Sequence, residues 1–247
     1  MQRYFVRNFQ DNRFYISDDD RHHIVKVMRL QVDDEIYCVN NGRSALCRIE
    51  EITDQQVVAK VVKWEEASVE MPIQVTIASG LPKGDKLEWI IQKGTELGAA
   101  KFIPFTASRS IVKWDEKKAS KKVERWNRIA KEAAEQSHRH MWPEVHQPIS
   151  LKKLVDLSES YDYKLVAYEE SAKQGEASVL SSVLKEMKTG QSILFIFGPE
   201  GGLTEEEIHL LNDAGFLSCS LGPRILRTET APLYALAAVS FQTELMG

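Results

Sequence analysis

Two glycine-containing segments near the end of the chain carry residue types that could do chemistry. Residues 198–202 (Gly-Pro-Glu-Gly-Gly) follow an apolar run, and their glycines would let backbone amides come close to a ligand. Residues 222–231 place Arg224, Arg227 and Glu229 between apolar neighbours. Either segment alone could be a plain turn. Two of them in neighbouring connections between predicted strands favour a ligand pocket.

The sequence lacks the common catalytic and phosphate-binding motifs that would identify the ligand of this pocket. Residues 80–85 lack the final residues of a P-loop, and residues 198–202 lack the GxGxxG spacing of a dinucleotide-binding loop. No GxSxG nucleophile elbow occurs. His138, His140 and His146 have no carboxylate or cysteine at a suitable spacing, so we expect no metal site. The residues by themselves therefore predict a pocket with an open choice of ligand.

An alternation of strands and helices positions both segments. Five or more strands separated by helices imply a mainly parallel α/β sheet, in which ligands bind beyond the carboxyl ends of the strands. A capping box at residues 204–207 predicts the start of one helix. The predicted strands cover residues 73–77, 102–105, 165–168, 193–197 and 217–221. The other predicted helices cover residues 87–97, 123–133 and 233–245.

The first 70 residues have a different pattern, which is typical of an all-β domain. Asn40, Asn41 and Gly42 separate two short apolar strands and suit a hairpin turn, and residues 57–62 predict a further strand. Short strands joined by tight turns suggest a small barrel. Residues 65–72 are charged and end in proline, so they are the predicted linker. The expected domains are therefore residues 1–70 and 73–247.

Composition and charge narrow the class of protein. The chain is 43% hydrophobic and 28% charged, it has no apolar run of membrane-spanning length, and its N-terminus does not resemble a signal peptide. Three scattered cysteines predict a reduced, cytoplasmic protein. The net charge is −4, but residues 101–142 hold eleven Lys and Arg against five Asp and Glu. This basic stretch is either a solvated helix face, which charge alone favours, or a phosphate-binding surface.

The two glycine-containing segments, with the other motifs in order, resemble the SPOUT methyltransferases. More narrowly, they are similar to the ribosomal RNA small-subunit methyltransferase E family, and the similarity spans the whole chain. Asp33 departs from this pattern, because the family usually has glycine there, which bears on the local turn. The further markers are Arg3-Tyr-Phe, His22-His-x-x-x-Val-Met-Arg29, Pro82-Lys-Gly-Asp-Lys, Gln92-Lys-x-Thr-Glu-Leu-Gly98, Arg109-Ser110 and Glu132-Ala-Ala-Glu-Gln-Ser-x-Arg139.

The resemblance implies a fold, a cofactor and a reaction. It implies an N-terminal PUA-like β-barrel that binds RNA, and a C-terminal SPOUT-type α/β domain with a deep trefoil knot that forms the cofactor pocket. It implies a homodimer that uses S-adenosylmethionine to methylate N3 of one uridine in 16S, small-subunit ribosomal RNA. The RNA partner is either naked RNA or the assembled 30S subunit, and neither a metal nor a membrane is expected.

The resemblance, with the chemistry of the residues, also assigns site residues. Arg227 is expected to stabilise charge, and Glu229 to act as the base or to orient it, with a purely structural role of Glu229 as the alternative. The cofactor would be held by Gly198, Glu200, Gly201, Leu221, Gly222, Ile225 and Leu226. RNA phosphates would be contacted by Arg3, Arg7, Lys26, Arg29, Arg109, Lys121, Arg125 and Arg139.

Two alternative functions stay open at this point. The first is a non-catalytic RNA-binding or ribosome-assembly protein that keeps the fold. The second is a SPOUT methyltransferase with another target atom, such as a ribose 2′-hydroxyl. The arginines and the glutamate of residues 222–231 are intact, which favours an enzyme over a binding protein.

Overall fold

The chain forms two compact units. The computed structural model describes residues 1–110, 116–168 and 178–246. The N-terminal unit comprises Met1–Glu70 and Ala134–Met141, and the C-terminal unit comprises Met71–Ala133 and Trp142–Gly247. The inclusion of Ala134–Met141 in the N-terminal unit has no signal in the local sequence, because side-chain contacts distant in sequence attach it.

A single six-stranded sheet dominates the N-terminal unit. Its order is β1-β4-β5-β6-β3-β2, and all neighbours are antiparallel except β1 and β4. Asn41 and Gly42 form the turn between β4 and β5 with φ angles of 48° and 74°, which confirms the predicted hairpin. The strands are β1 (Arg3–Phe5), β2 (Phe9–Gln10), β3 (Arg13–Ile16), β4 (Glu35–Asn40), β5 (Arg43–Ile52) and β6 (Val57–Trp64).

A short helical segment follows β3. Helix α1 (Asp18–His22) continues into a π-helical turn at His23–Val27, and Ile24 is the buried residue of that turn. The hydroxyl of Tyr4 lies 3.0 Å from Nδ1 of His23. Asp33, where the family usually has glycine, has a φ of 75°, in the region that side chains other than glycine rarely adopt. The departure from the family pattern therefore falls on a strained backbone position.

Glu70 attaches Ala134–Met141 to the rest of the N-terminal unit. Its Oε2 accepts from Nε and Nη2 of Arg139, and its Oε1 accepts from the backbone N–H groups of His140 and Met141 at 2.8 and 3.1 Å. The side chain of Arg139 is only 5% exposed. One carboxylate therefore neutralises a buried cation and also satisfies two backbone donors.

Replacing Glu70 with alanine should destabilise the N-terminal unit strongly. The change leaves the Arg139 guanidinium buried without this carboxylate, and removal of one partner of a buried ion pair costs about 3–5 kcal/mol. We expect the free energy of unfolding, measured by urea denaturation, to fall by about 3 kcal/mol, since Glu70 is itself partly exposed. The exposed neighbour Glu66 is the matched control, and Glu66→Ala should have little effect. Equal stabilities of the two variants would contradict this role for Glu70.

The C-terminal unit contains a seven-stranded sheet in which every pair is parallel. Its order is β10-β8-β7-β12-β11-β13, and β9 also pairs with β8. The five strands predicted from the sequence are all present, which confirms the parallel α/β architecture. The strands are β7 (Gln74–Gly80), β8 (Lys101–Thr106), β9 (Glu144–Val145), β10 (Ile149–Ser150), β11 (Tyr163–Ala167), β12 (Ser192–Phe197) and β13 (Leu217–Cys219).

Strand β13 ends two residues earlier than the predicted strand at residues 217–221. The Ser220 hydroxyl accepts from the N–H of Gly222 and donates to the carbonyl of the same residue, both at 3.1 Å. A serine side chain that bonds nearby backbone in this way competes with the sheet ladder. Leu221 and Gly222 therefore lie in the segment that follows the strand.

Helices cover the C-terminal sheet and match most of the predicted elements. Leu87, Ile90 and Ile91 of α2 are buried, as the helical spacing predicts, and Gly94 lies against the ring of Phe102. Both hydrogen bonds of the predicted capping box begin α6, and Pro232 lies in the first turn of α7. The helices are α2 (Lys86–Glu96), α3 (Glu116–Gln136), α4 (Leu151–Ser158), α5 (Ser178–Glu186), α6 (Glu205–Asp213) and α7 (Ala231–Ser240), which continues into a π-helical turn at Phe241–Leu245.

Helices α4 and α5 were not among the predicted elements, because segments of 8 and 9 residues show little helical periodicity. In the part of the chain that the structure describes, none of the helices has the length and apolar character needed to cross a membrane.

Candidate active site

The carboxyl ends of β7 and β12 lie side by side and bring two loops into contact. Ser79 pairs with Phe197, so Gly80 and Gly198 come next on the two strands. A Cβ atom on Gly80 would lie 2.5 Å from Cδ and 2.7 Å from N of Pro199. Any side chain at Gly80 would therefore push residues 198–202, which we call the first loop, away from the sheet. Nothing in the local sequence around Gly80 indicates this requirement, because Pro199 follows a different strand.

The first loop is supported from its other side by the turn at residues 107–110. Nη1 of Arg109 donates to the carbonyls of Gly201 and Leu203 at 2.9 and 3.4 Å. The backbone N–H and the hydroxyl of Ser108 donate to Oε1 of Glu207 at 2.7 and 3.0 Å. These contacts fix both the loop and the start of α6. Arg109, expected to contact RNA, thus has loop carbonyls as its partners in the structure.

Gly222 lies near the start of residues 220–230, which we call the second loop, and has a backbone conformation that favours glycine. Its φ is +104°, and no described atom would lie within 4 Å of a Cβ atom built on it. The position combines a left-handed backbone with free space on one side. A ligand could therefore lie directly against the backbone here, as the sequence predicts for a cofactor loop.

Charged side chains connect the first loop, the second loop and the beginning of α2. Oε1 of Glu200 accepts from the backbone N–H of Lys83 at 3.1 Å and from Nζ of Lys86 at 3.0 Å. The same Nζ lies 3.5 Å from Oε2 of Glu229. Nη1 of Arg227 lies farther away, 4.0 Å from Oε1 of Glu229. Lys83 and Lys86 belong to the Pro82–Lys86 marker, which was the only sequence signal for them.

The pairing of Lys86 with Glu200 affects the protonation of both groups. Burial alone would raise the pKa of Glu200, but hydrogen bonds from Lys86 and from backbone N–H groups outweigh it and hold the pKa below its usual value. The hydrogen bond to Glu200 in turn raises the pKa of Lys86. Near neutral pH the pair is therefore a carboxylate and an ammonium.

Arg227 and Glu229, the two predicted catalytic residues, differ sharply in exposure. The side chain of Arg227 is 84% exposed, whereas that of Glu229 is 26% exposed. Oε2 of Glu229 is buried and has no hydrogen-bond partner among the described residues. The second loop thus offers an accessible guanidinium beside a largely sheltered carboxylate, a pair that can stabilise negative charge and accept a proton.

The remaining predicted cofactor residues also lie in the two loops. Leu221 packs partly against the main core of the C-terminal unit, Leu226 is half-buried, and Ile225 is 77% exposed. An isoleucine this exposed gains little from folding and is available to a ligand or a partner surface.

The eight predicted RNA contacts fall into different environments. Arg3 and Arg139 are buried in the N-terminal unit, and each is paired with a glutamate, Glu65 and Glu70 respectively. Their side chains are 3% and 5% exposed, which fits a structural role rather than contact with a phosphate. Arg125 is exposed and paired with Glu88 at 2.8 Å, and Arg109 supports the first loop. The other exposed cations are Arg7, Lys26, Arg29 and Lys121.

Comparison with known proteins shows which family this chain resembles. An RNA methyltransferase domain model matches residues 69–240, and an RNA methyltransferase PUA domain model matches residues 16–62. The ribosomal RNA small subunit methyltransferase E of Bacillus subtilis is 52% identical over 252 residues, with 100% of this chain and 98% of that protein covered. This chain belongs to the ribosomal RNA small subunit methyltransferase E family. Membership confirms the family resemblance and the SPOUT-type and PUA-like fold classes.

Solved structures of similar proteins agree with membership of the methyltransferase E family. The family member from Neisseria gonorrhoeae, bound to S-adenosyl methionine, has a TM-score of 0.85, 29% identity and 97% coverage of both chains. A methyltransferase from Legionella pneumophila, in complex with the same cofactor, has a TM-score of 0.83, 30% identity and 96% coverage of both chains. The trefoil knot and the individual site residues stay predictions.

Proposed function

We propose that this protein transfers the methyl group of S-adenosylmethionine to N3 of a uridine in small-subunit ribosomal RNA. Family membership supports the reaction, and the similar structures that hold S-adenosylmethionine support the cofactor. The observation that carries the proposal is that Lys86 links two glycine-containing loops at the carboxyl ends of the parallel strands, through Glu200 on the first loop and Glu229 on the second.

Several features of the two loops fit the cofactor. The free space beside Gly222 leaves its backbone open to the adenosine or methionine part, and the packing of Gly80 against Pro199 holds the first loop in place. Gly198, Gly201, Leu221, Ile225 and Leu226 contribute to the same cradle. Glu200, held as a carboxylate by Lys86, accepts from a ribose hydroxyl or from the methionine amine.

Glu229 and Arg227 have distinct tasks in this proposal. When bound, S-adenosylmethionine supplies a methyl group that its sulfonium makes electrophilic. Glu229 accepts the imide proton of uridine N3 or orients the group that does, because N3 must lose this proton to become a nucleophile. Arg227 binds the carbonyl oxygens beside N3, onto which negative charge spreads as the proton leaves. The exposure of Arg227 suits a group that contacts the RNA substrate.

Exposed cations on each unit are the proposed RNA contacts. Arg7, Lys26 and Arg29 belong to the N-terminal unit, and Lys121 and Arg125 belong to α3. Such contacts position a backbone without reading its sequence, so the target uridine has to be selected by shape and extruded into the site. We further propose that the protein is a cytoplasmic homodimer and that a trefoil knot surrounds the second loop. Its substrate is either the naked RNA or the assembled 30S subunit.

Transfer of labelled methyl groups tests the proposed reaction. The protein is incubated with labelled S-adenosylmethionine and with small-subunit RNA, assembled 30S subunits or large-subunit RNA. We expect label in one or both small-subunit samples and none in large-subunit RNA. Absence of label from both small-subunit samples, while the protein binds them, would favour the non-catalytic RNA-binding alternative.

A further inference from the structure

Lys86 lies between the two loops and has a second carboxylate partner, Glu229, besides Glu200. It is the first residue of α2 and follows the segment that leaves β7. Its Nζ is 3.0 Å from Oε1 of Glu200 in the first loop and 3.5 Å from Oε2 of Glu229 in the second loop. One ammonium group therefore connects two carboxylates that come from different loops.

The contacts of Glu229 indicate that it depends on Lys86 more than on Arg227. Oε2, the oxygen that faces Lys86, is buried and has no hydrogen bond from the described residues. Lys86 is the nearer of the two cations, at 3.5 Å against 4.0 Å. Arg227 is also far more exposed than Lys86, and attraction between solvated charges is weak. Neutralisation of Glu229 thus falls mainly to Lys86.

We propose that Lys86 is a positioning residue that holds the carboxylates of Glu200 and Glu229 and so joins the two cofactor loops. This inference rests on the proposed function, because it assumes that Glu229 acts on a proton of the substrate. Lys86 itself contacts neither reacting atom in this account. It acts through the charge that it places between the two carboxylates.

Loss of the ammonium group has a predictable electrostatic effect. The charged groups around Glu229 are Lys86 from α2, Arg227 from its own loop, and Glu200 on the far side of Lys86. Without Lys86, Glu229 loses its nearer cation and faces the like charge of Glu200, so the two loops repel each other instead of being joined. The carboxylate of Glu229 would then lose its fixed position relative to the first loop.

Rescue by a variant that restores the charge tests this role in the full-length protein. Lys86→Met should lower kcat for methyl transfer by about tenfold, as expected for loss of one close opposite charge. Lys86→Arg, which restores the charge, should recover most of the rate. Lys93→Met is the matched control, since Lys93 lies on the same helix with similar exposure and pairs only with exposed Glu96 among the described residues. This control should leave kcat unchanged.

The outcomes separate a positioning role from a structural one. A loss of rate in Lys86→Met that Lys86→Arg does not recover would overturn the proposal, and so would an unchanged rate in Lys86→Met. A double-mutant cycle of Lys86→Met with Glu200→Gln, measured on S-adenosylmethionine binding without RNA, tests the connection between the loops even if no methyl transfer is found. Strong coupling supports the bridge and independent effects contradict it, whereas failure of wild-type methyl transfer would overturn the proposed function instead.

Discussion

Arg227→Ala is expected to reduce kcat for methyl transfer by about 100- to 1,000-fold, the usual effect of removing one group that stabilises developing negative charge. The side chain is 84% exposed, so its loss should not disturb the fold or the two loops. The dissociation constant for S-adenosylmethionine should change by no more than about twofold, because surface substitutions away from a contact have small effects. Single-turnover rates and calorimetric binding measure the two quantities separately.

Arg224→Ala is the matched control for Arg227, because Arg224 lies in the same loop and is also exposed. We expect it to keep at least a tenth of the wild-type kcat, a loss below that of a group contacting the reacting base. If both arginine variants lose activity equally, the loop contributes general positive charge rather than a specific contact. If Arg227→Ala retains the wild-type rate, Arg227 has no part in the mechanism.

Gly80→Ala should weaken the binding of S-adenosylmethionine by about 10- to 100-fold, since overpacking costs about 1–3 kcal/mol. The added methyl group would lie 2.5 Å from Cδ of Pro199, so the first loop has to move. Its displacement would take Glu200 away from Lys86 and Gly201 away from Arg109. Calorimetric titration with S-adenosylmethionine measures the loss.

Gly190→Ala is the control for Gly80→Ala. Gly190 has a φ of +89° and precedes β12, so it lies at the opposite end of that strand from the first loop. Alanine there should cost about 1–2 kcal/mol of folding stability through backbone strain and leave cofactor affinity unchanged. Equal affinities of the Gly80→Ala protein and the wild type would show that the first loop does not bind the cofactor.

Local sequence patterns were sufficient for much of the fold. The turn at residues 40–42, the capping box at Thr204 and the position of Pro232 each depend on a few adjacent residues, and the structure confirms them. The end of β13 was predicted too late because the bonds of Ser220 with Gly222 end the strand, and apolar alternation does not register such bonds. Family resemblance, rather than spacing, provided the cofactor and the knot.

The candidate site was less predictable because its key contacts join residues far apart in sequence. Lys86 and Glu200 are 114 residues apart, and nothing in either segment indicates the other. Arg139 was predicted to contact an RNA phosphate because it is basic. In the structure its side chain is buried and paired with Glu70. Gly80 has a required role only because Pro199 lies against it on the neighbouring strand. Partners of this kind depend on the strand order, which hydrophobic periodicity does not specify.

Primer extension on small-subunit RNA tests the central claim most directly. RNA and 30S subunits that lack the modification are treated with the protein and S-adenosylmethionine, and a reverse transcriptase then copies the RNA. Methylation at uridine N3 blocks base pairing, so we expect one new stop at a uridine that requires both protein and cofactor. Incorporation of methyl groups without any new stop would contradict methylation at N3 and indicate another atom, such as a ribose 2′-hydroxyl.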